Sequence, residues 1–223
     1  MAAGDVVSPS WRSEAKALTA LVVPIMIQMG SQQMMTSVDL LFLGHLGRQE
    51  MAVGTIATTI FNLLWFGVAG FGTSFDTLGS QAAGAGDKMA VRNWAMLATL
   101  SLSACCLPCV LVLMCGSSIA SSLLGQDATT SRDVGSFCTL LVLGLWPAAV
   151  TLVMQKFLQV RNVVMPVAVT SLATFVLNIA LNWFFIHGAG IGLLGSALAT
   201  SSSRVVNLLL LAGYVRWSSD DWE

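Results

Sequence analysis

The sequence predicts an all-α, polytopic membrane protein with six transmembrane helices. Two observations carry this. Of 223 residues, 56% are hydrophobic and only 9% are charged, whereas a soluble domain draws on about 25% charged residues to cover its surface. The few charges also cluster, leaving five uncharged runs at 17–38, 51–75, 93–126, 134–155 and 162–203. A membrane-crossing helix needs roughly 20 apolar residues. The mean hydropathy of +0.80 agrees with that reading.

The first run is too long for the apolar core of a cleavable leader, and no small-residue cleavage site precedes more polar sequence. The second and fourth runs each fit one span. The third is longer only because it carries a polar tail beyond its apolar part. The fifth holds two spans divided at "HGAGIGLLG", residues 187–195, where clustered glycines interrupt a helix. Pro24, Pro108, Pro147 and Pro166 fall in or at the edges of spans, where neighbouring helices re-satisfy the carbonyls that proline frees.

Orientation follows from the basic residues. With the N-terminus in the cytoplasm, the inner segments hold Arg12, Lys16, Lys88, Arg92, Lys156, Arg161 and Arg216, and the outer ones hold only Arg48 and Arg132. That asymmetry is the positive-inside pattern, and Trp11, Trp94 and Trp217 then lie near the inner interface. Arg204 falls inside the sixth span and takes no part in this comparison. The chain divides into a cytoplasmic segment at 1–16, a transmembrane unit at 17–215 and a cytoplasmic tail at 216–223. The expected surroundings are a lipid bilayer, of plasma or organellar membrane alike. No basic patch with interleaved aromatics points to nucleic acid.

Polar residues inside the spans are arranged in stripes. Residues three or four apart share a helix face, which aligns Gln28, Gln32, Thr36 and Asp39 on the first helix. The fifth repeats the pattern with Ser171, Thr174, Asn178 and Asn182, and the sixth with Ser196, Thr200, Ser203 and Asn207. A weaker stripe on the second runs from Thr55 through Thr58 or Thr59 to Asn62. An acid near mid-helix costs about 2.5–3.5 kcal/mol on insertion scales and faces a bundle interior or wet cavity. The four stripes therefore predict a shared polar space. Two structural readings stand beside it. Small polar side chains also serve as interhelical glue, and Asp39 would be ordinary if it sat at the outer interface beside His45 or Arg48. The cysteines at 105, 106 and 109 have no histidine or carboxylate near them in sequence, so they read as small apolar residues rather than metal ligands.

Specific residues also carry a family likeness. "SVDLLFLGHLG" at 37–47 and "DTLGSQAAGAGD" at 76–87 resemble the signature region of the multidrug and toxin extrusion (MATE) family. "LQVRNVVMP" at 158–166 and "GAGIGLLGSALAT" at 188–200 are similar to the family's fourth-to-sixth-helix segment. The resemblance runs through nearly the whole chain and is weakest across 97–152. It implies one six-helix lobe of a two-lobe secondary antiporter, exporting organic cations or related amphipathic compounds in exchange for H⁺ or Na⁺, with no other cofactor. On that likeness Asp39 is the coupling acid, stabilised by Gln32 and Asn178. Gln28, Gln32, Thr36, Asn62 and Thr174 line the substrate cavity, and Pro24 lets the first helix bend. The family pattern has an acid where this chain has Asn182, which removes one carboxylate from the expected ion site.

The likeness supplies only half of the family's architecture. The chain is thus expected to be a piece of a longer carrier or a half-transporter pairing with a second lobe or a second copy. The tail at 216–223 would then begin an interlobe linker. A flippase-like exporter of lipids or oligosaccharides and a non-transporting partner of a full-length carrier are the alternatives. An intramembrane serine protease needs a serine paired with a histidine in the bundle. His45 and His187 both fall at helix ends, so the expectation is a protein without enzymatic chemistry.

Overall fold

The structure is a computed structural model that describes residues 11–218. The ends of the expected terminal segments, 1–10 and 219–223, lie outside the described residues. Among the described residues seven α-helices follow one another: α1 (Trp11–Leu46), α2 (Arg48–Gly84), α3 (Lys88–Met114), the short α4 (Gly116–Ser122), α5 (Ala128–Val160), α6 (Met165–Trp183) and α7 (Leu193–Trp217). A π-helical turn, Phe184–Gly188, extends α6. No strand occurs among the described residues.

Six long helices stand where the six spans are expected, with two departures in detail. Residues 116–122, read as a polar tail of the third span, form the separate helix α4, started at a break after Cys115. Among the described residues five helices, counting α6 with its π turn, are long and apolar enough to cross a membrane. The first, α1, is long enough at 36 residues but falls short in hydropathy. The cause is its own polar stripe of amides and Asp39.

Tight turns make successive long helices antiparallel. A single residue, Gly47, separates α1 from α2. The connection from α6 to α7 reverses through Gly190 and Gly192, both at positive φ (66° and 64°), a conformation that costs glycine little. The α1–α2, α4–α5 and α6–α7 connections therefore share one end of the bundle. The α2–α3 and α5–α6 connections share the other with the start of α1 and the end of α7.

Helix α5 is the hub. It packs against α2, α3, α4 and α7, while α1 packs chiefly on α6 and more lightly on α2 and α7. Half of the most apolar stretch of α5 is buried. The main core gathers Val53, Phe61, Phe75, Leu102, Leu113, Val134 and Leu145 from α2, α3 and α5. Lys156 of α5 pairs with Asp76 of α2 near the second end. Within a membrane there is little hydrophobic drive between helices, so close backbone approach carries much of the association. Gly144 permits such an approach. A Cβ there would stand 3.1 Å from Cα of Ser201 on α7 and 3.0 Å from Cδ of Arg204.

The start of α5 is fixed by Asp127, whose carboxylate accepts from the backbone N–H groups of Thr129 and Thr130, each at 3.1 Å, and from the Thr129 hydroxyl. These bonds, from Thr129 first and Thr130 second, hold its carboxyl well below the usual carboxylate range. A depressed carboxylate pKa stabilises the fold above the unfolded value and loses that contribution as pH falls. Replacing Asp127 by alanine is expected to lower the melting midpoint at neutral pH, and the gap to the parent should narrow below about pH 3.9. Melting curves across an acid pH series check this. Filling the α5–α7 contact with Gly144→Val is expected to destabilise the bundle by about 1–3 kcal/mol through overpacking, read as a lower melting midpoint in detergent.

Candidate functional site

The polar stripes converge where α1, α5, α6 and α7 meet. Asp39 is 9% exposed, and its position on α1 faces Asn182 on α6 and Thr200 on α7. The Asn182 amide donates to Oδ1 of Asp39 at 2.7 Å, and the Thr200 hydroxyl donates to Oδ2. The same Asn182 nitrogen reaches the backbone carbonyl of Asn178 at 3.0 Å and its Oδ1 at 3.3 Å. Each carboxylate oxygen thus has a donor from a different helix. An aspartate at position 182 would have set two acceptors against one another; asparagine supplies the N–H instead.

One expectation is corrected here. Gln32 was expected to steady Asp39, but its amide donates to Oε1 of Gln155 at 3.2 Å. Gln28 donates to that same oxygen at 2.8 Å and accepts from Gln159 at 2.6 Å. The four glutamines form an amide cluster bridging α1 to α5, two helices that otherwise barely touch. Long side chains, not backbone proximity, make this link.

A cavity of about 390 Å³ lies beside these groups, within the range of small-molecule sites. Gln32 and Thr36 of α1, Asn62 of α2 and Thr174 of α6 line it, together with Thr200. Asp39, Asn178 and Asn182 are not on its wall; they stand behind it, with Thr200 touching both the cavity and the acid. Gln28 sits just off the wall, in the amide cluster. Pro24 is buried inside α1, one turn before Gln28. A second cavity, of about 380 Å³, opens at the α1–α2 end beside Glu50 and Asp133 and includes none of the stripe residues.

Several residues of the site escaped sequence reasoning. Gln155 ends an uncharged run and looks like a helix terminus, although it is 1% exposed. Arg204 lines the cavity, its Cζ 4.1 Å from the Phe61 ring centroid. The signal for Arg204 was present, since a lone cation inside a span needs a protein or cavity partner. Gln155 and Gln159 share a helix face and offered a weaker one. The apolar part of the wall comes from Trp65, Phe66, Met29 and Met35; Met35 lies beside the α1 stripe, and nothing in periodicity separates the other three from lipid-facing residues.

The MatE family model matches residues 24–184. The chain is 29% identical over 218 residues to Protein DETOXIFICATION 12 of Arabidopsis thaliana, covering 96% of this chain and 45% of that protein. It is 31% identical over 212 residues to Multidrug and toxin extrusion protein 2 of Mus musculus, covering 94% of this chain and 37% of the relative. Among solved structures, the eukaryotic MATE transporter AtDTX14 superposes with a TM-score of 0.88 at 26% identity, over 93% of this chain and 46% of that one. The chain therefore spans less than half the length of these relatives, the portion expected of one lobe. Its sequence match and its bundle agree that this multi-pass membrane protein belongs to the MatE family.

Proposed function

We propose that this chain forms one lobe of a secondary antiporter that moves small amphipathic organic compounds out across the membrane in exchange for H⁺ or Na⁺. The observation that carries the reading is a carboxylate, Asp39, buried among helices and linked to a ligand-sized cavity through one hydroxyl. A relative named for multidrug and toxin extrusion supports the export direction. The N-terminus lies in the cytoplasm in this proposal, since the seven inner basic residues then share the α2–α3 end of the bundle. A second six-helix lobe, or a second copy of this one, completes the pathway.

Coupling works through Thr200. With Asp39 ionised, the Thr200 hydroxyl and the Asn182 amide both point their protons at the carboxylate. Protonation turns one carboxyl oxygen into a donor, so one of these two groups loses its acceptor and must turn away. A Na⁺ ion at the carboxylate demands the same, because a cation needs oxygen lone pairs in place of N–H or O–H donors. Thr200 is the group free to comply, since a hydroxyl can either donate or accept. Its rotation alters the cavity wall directly. The two states then differ in ligand affinity, which is the condition for a ligand or ion to shift a conformational equilibrium.

Pro24 and the amide cluster govern how far α1 follows. Proline at position 24 leaves the carbonyl of Ala20 without its helical donor, creating a point of easy bending. The glutamines one and two turns later tie the moving half to α5. An acceptor shared by two amides makes Gln155 the point at which that tie is broken.

In proteoliposomes, Asp39→Asn is expected to abolish efflux driven by an imposed pH or Na⁺ gradient while preserving assembly, because asparagine matches the shape of aspartate. Gradient-driven efflux unchanged in this variant would refute the coupling role. Gln155→Leu removes the acceptor of Gln28 and Gln32 and should cost about 1–3 kcal/mol for stranded polar groups. It should also speed amide hydrogen exchange in α1 beyond Pro24, whereas α6 should be little affected.

A further inference from the structure

The cavity has one charged side chain on its wall, and it is a cation. Arg204 projects from α7, and two contacts fix its side chain. Gly144 leaves room for its stem, since a Cβ there would lie 3.0 Å from Cδ. The Phe61 ring lies under the guanidinium at 4.1 Å. Its Nη1 is buried without a hydrogen-bond partner. Asp39 is within electrostatic reach, yet both its oxygens accept from Asn182 and Thr200. No direct ion pair joins the two among the described residues, where the ion pair present is that of Lys156 with Asp76.

The neighbouring wall carries matching chemistry. Gln155 turns its Oε1 to the α1 glutamines, which leaves its Nε2 buried and without an acceptor. Two residues lining one cavity, on α5 and α7, thus each carry a buried nitrogen donor with no acceptor assigned to it, beside an unpartnered Thr151 hydroxyl and an unpartnered Asn207 Oδ1. A buried donor left unpaired costs about 1–3 kcal/mol, and more when charged. A guanidinium satisfies that demand best with a planar oxyanion, which can accept two parallel N–H bonds. Trp65, Phe66 and Met35, which line the same cavity, suit a flat apolar body.

We infer that Arg204 and Gln155 form an anion-recognition subsite, so that this lobe binds aromatic or other apolar compounds bearing a carboxylate or sulfonate rather than simple organic cations. The inference rests on the antiporter reading above and sets its substrate class. It also gives Asp39 and Arg204 separate tasks. The acid, behind the wall, exchanges the coupling ion; the guanidinium, on the wall, holds the transported anion. A substrate anion and a coupling cation can then occupy the lobe without competing for one carboxylate.

The test uses the full chain in phosphatidylcholine nanodiscs and three probes of one shape: naphthoate, naphthylmethanol and naphthylmethylammonium. Equilibrium dialysis, with empty nanodiscs subtracted, gives each affinity. Naphthoate is expected to bind about tenfold more tightly than either other probe, the worth of one charge-assisted hydrogen bond. Arg204→Gln should erase that preference by bringing naphthoate binding down to the level of the other two probes, and Arg204→Lys should restore part of it. The parent chain alone decides the matter if a variant fails to assemble. Equal binding of the three probes, or preference for the ammonium, would overturn the anion subsite and leave coupling at Asp39 standing. Binding of none would overturn the subsite and the cavity's role as a substrate site together. Loss of gradient coupling is read separately, from Asp39→Asn.

Discussion

A carboxylate buried between helices persists only if each oxygen finds a donor that the helices themselves supply. Asp39 meets that demand with an amide from α6 and a hydroxyl from α7. The requirement reaches well beyond one residue. It fixes the rotation of α1 about its own axis, because turning the helix by one residue would swing the acid about 100° away from both partners. It sets the vertical register of α6 against α1, since the Asn182 amide must stay level with the Asp39 carboxylate. It likewise holds α7 near α1 at Thr200. Three helices are positioned by one acid, and the cavity takes shape in the space they leave.

Around this fixed point the bundle is built unevenly. Helices α2, α3 and α5 share a continuous apolar core, which makes them a stiff frame. The α1 side relies more on hydrogen bonds between long side chains, of which the glutamine cluster is the clearest case. Interhelical hydrogen bonds in membranes average about 0.6 kcal/mol, with stronger ones near 1.7. Such bonds break and reform more readily than a packed core does. A moving half held to a stiff half by amides is a workable arrangement for a carrier, which must cycle between shapes without losing its fold.

Much of this was legible in the chain itself. Charge clustering located the spans, because membrane helices exclude what soluble ones tolerate. The spacing of Gln28, Gln32, Thr36 and Asp39 marked one face of α1, and the matching spacings on α6 and α7 marked the faces that meet it. Sequence could place these residues on a face but not choose their partners. Gln32 is the instructive case: its register suited Asp39, yet its longer side chain reaches Gln155 instead. Gln155 itself sits on α5, where Thr151, Gln155 and Gln159 share a face, but it closes an uncharged run and reads as a helix terminus. The separate helix α4 was hidden for a different reason. A short polar stretch after an apolar run reads equally well as a loop, and what makes it helical is packing on α5. Arg204 was visible as a cation in a span, and its meaning depends on a ring five helices earlier in the chain.

The missing side chain at position 144 has a broader implication. By having none, Gly144 both draws α7 against α5 and seats the guanidinium stem. Robustness and selectivity are consequently written at the same address. A bulkier residue chosen to make the carrier sturdier would also re-aim its cation, and a change made to retune cargo preference would loosen the scaffold. Evolution or engineering can adjust either trait here only by disturbing the other.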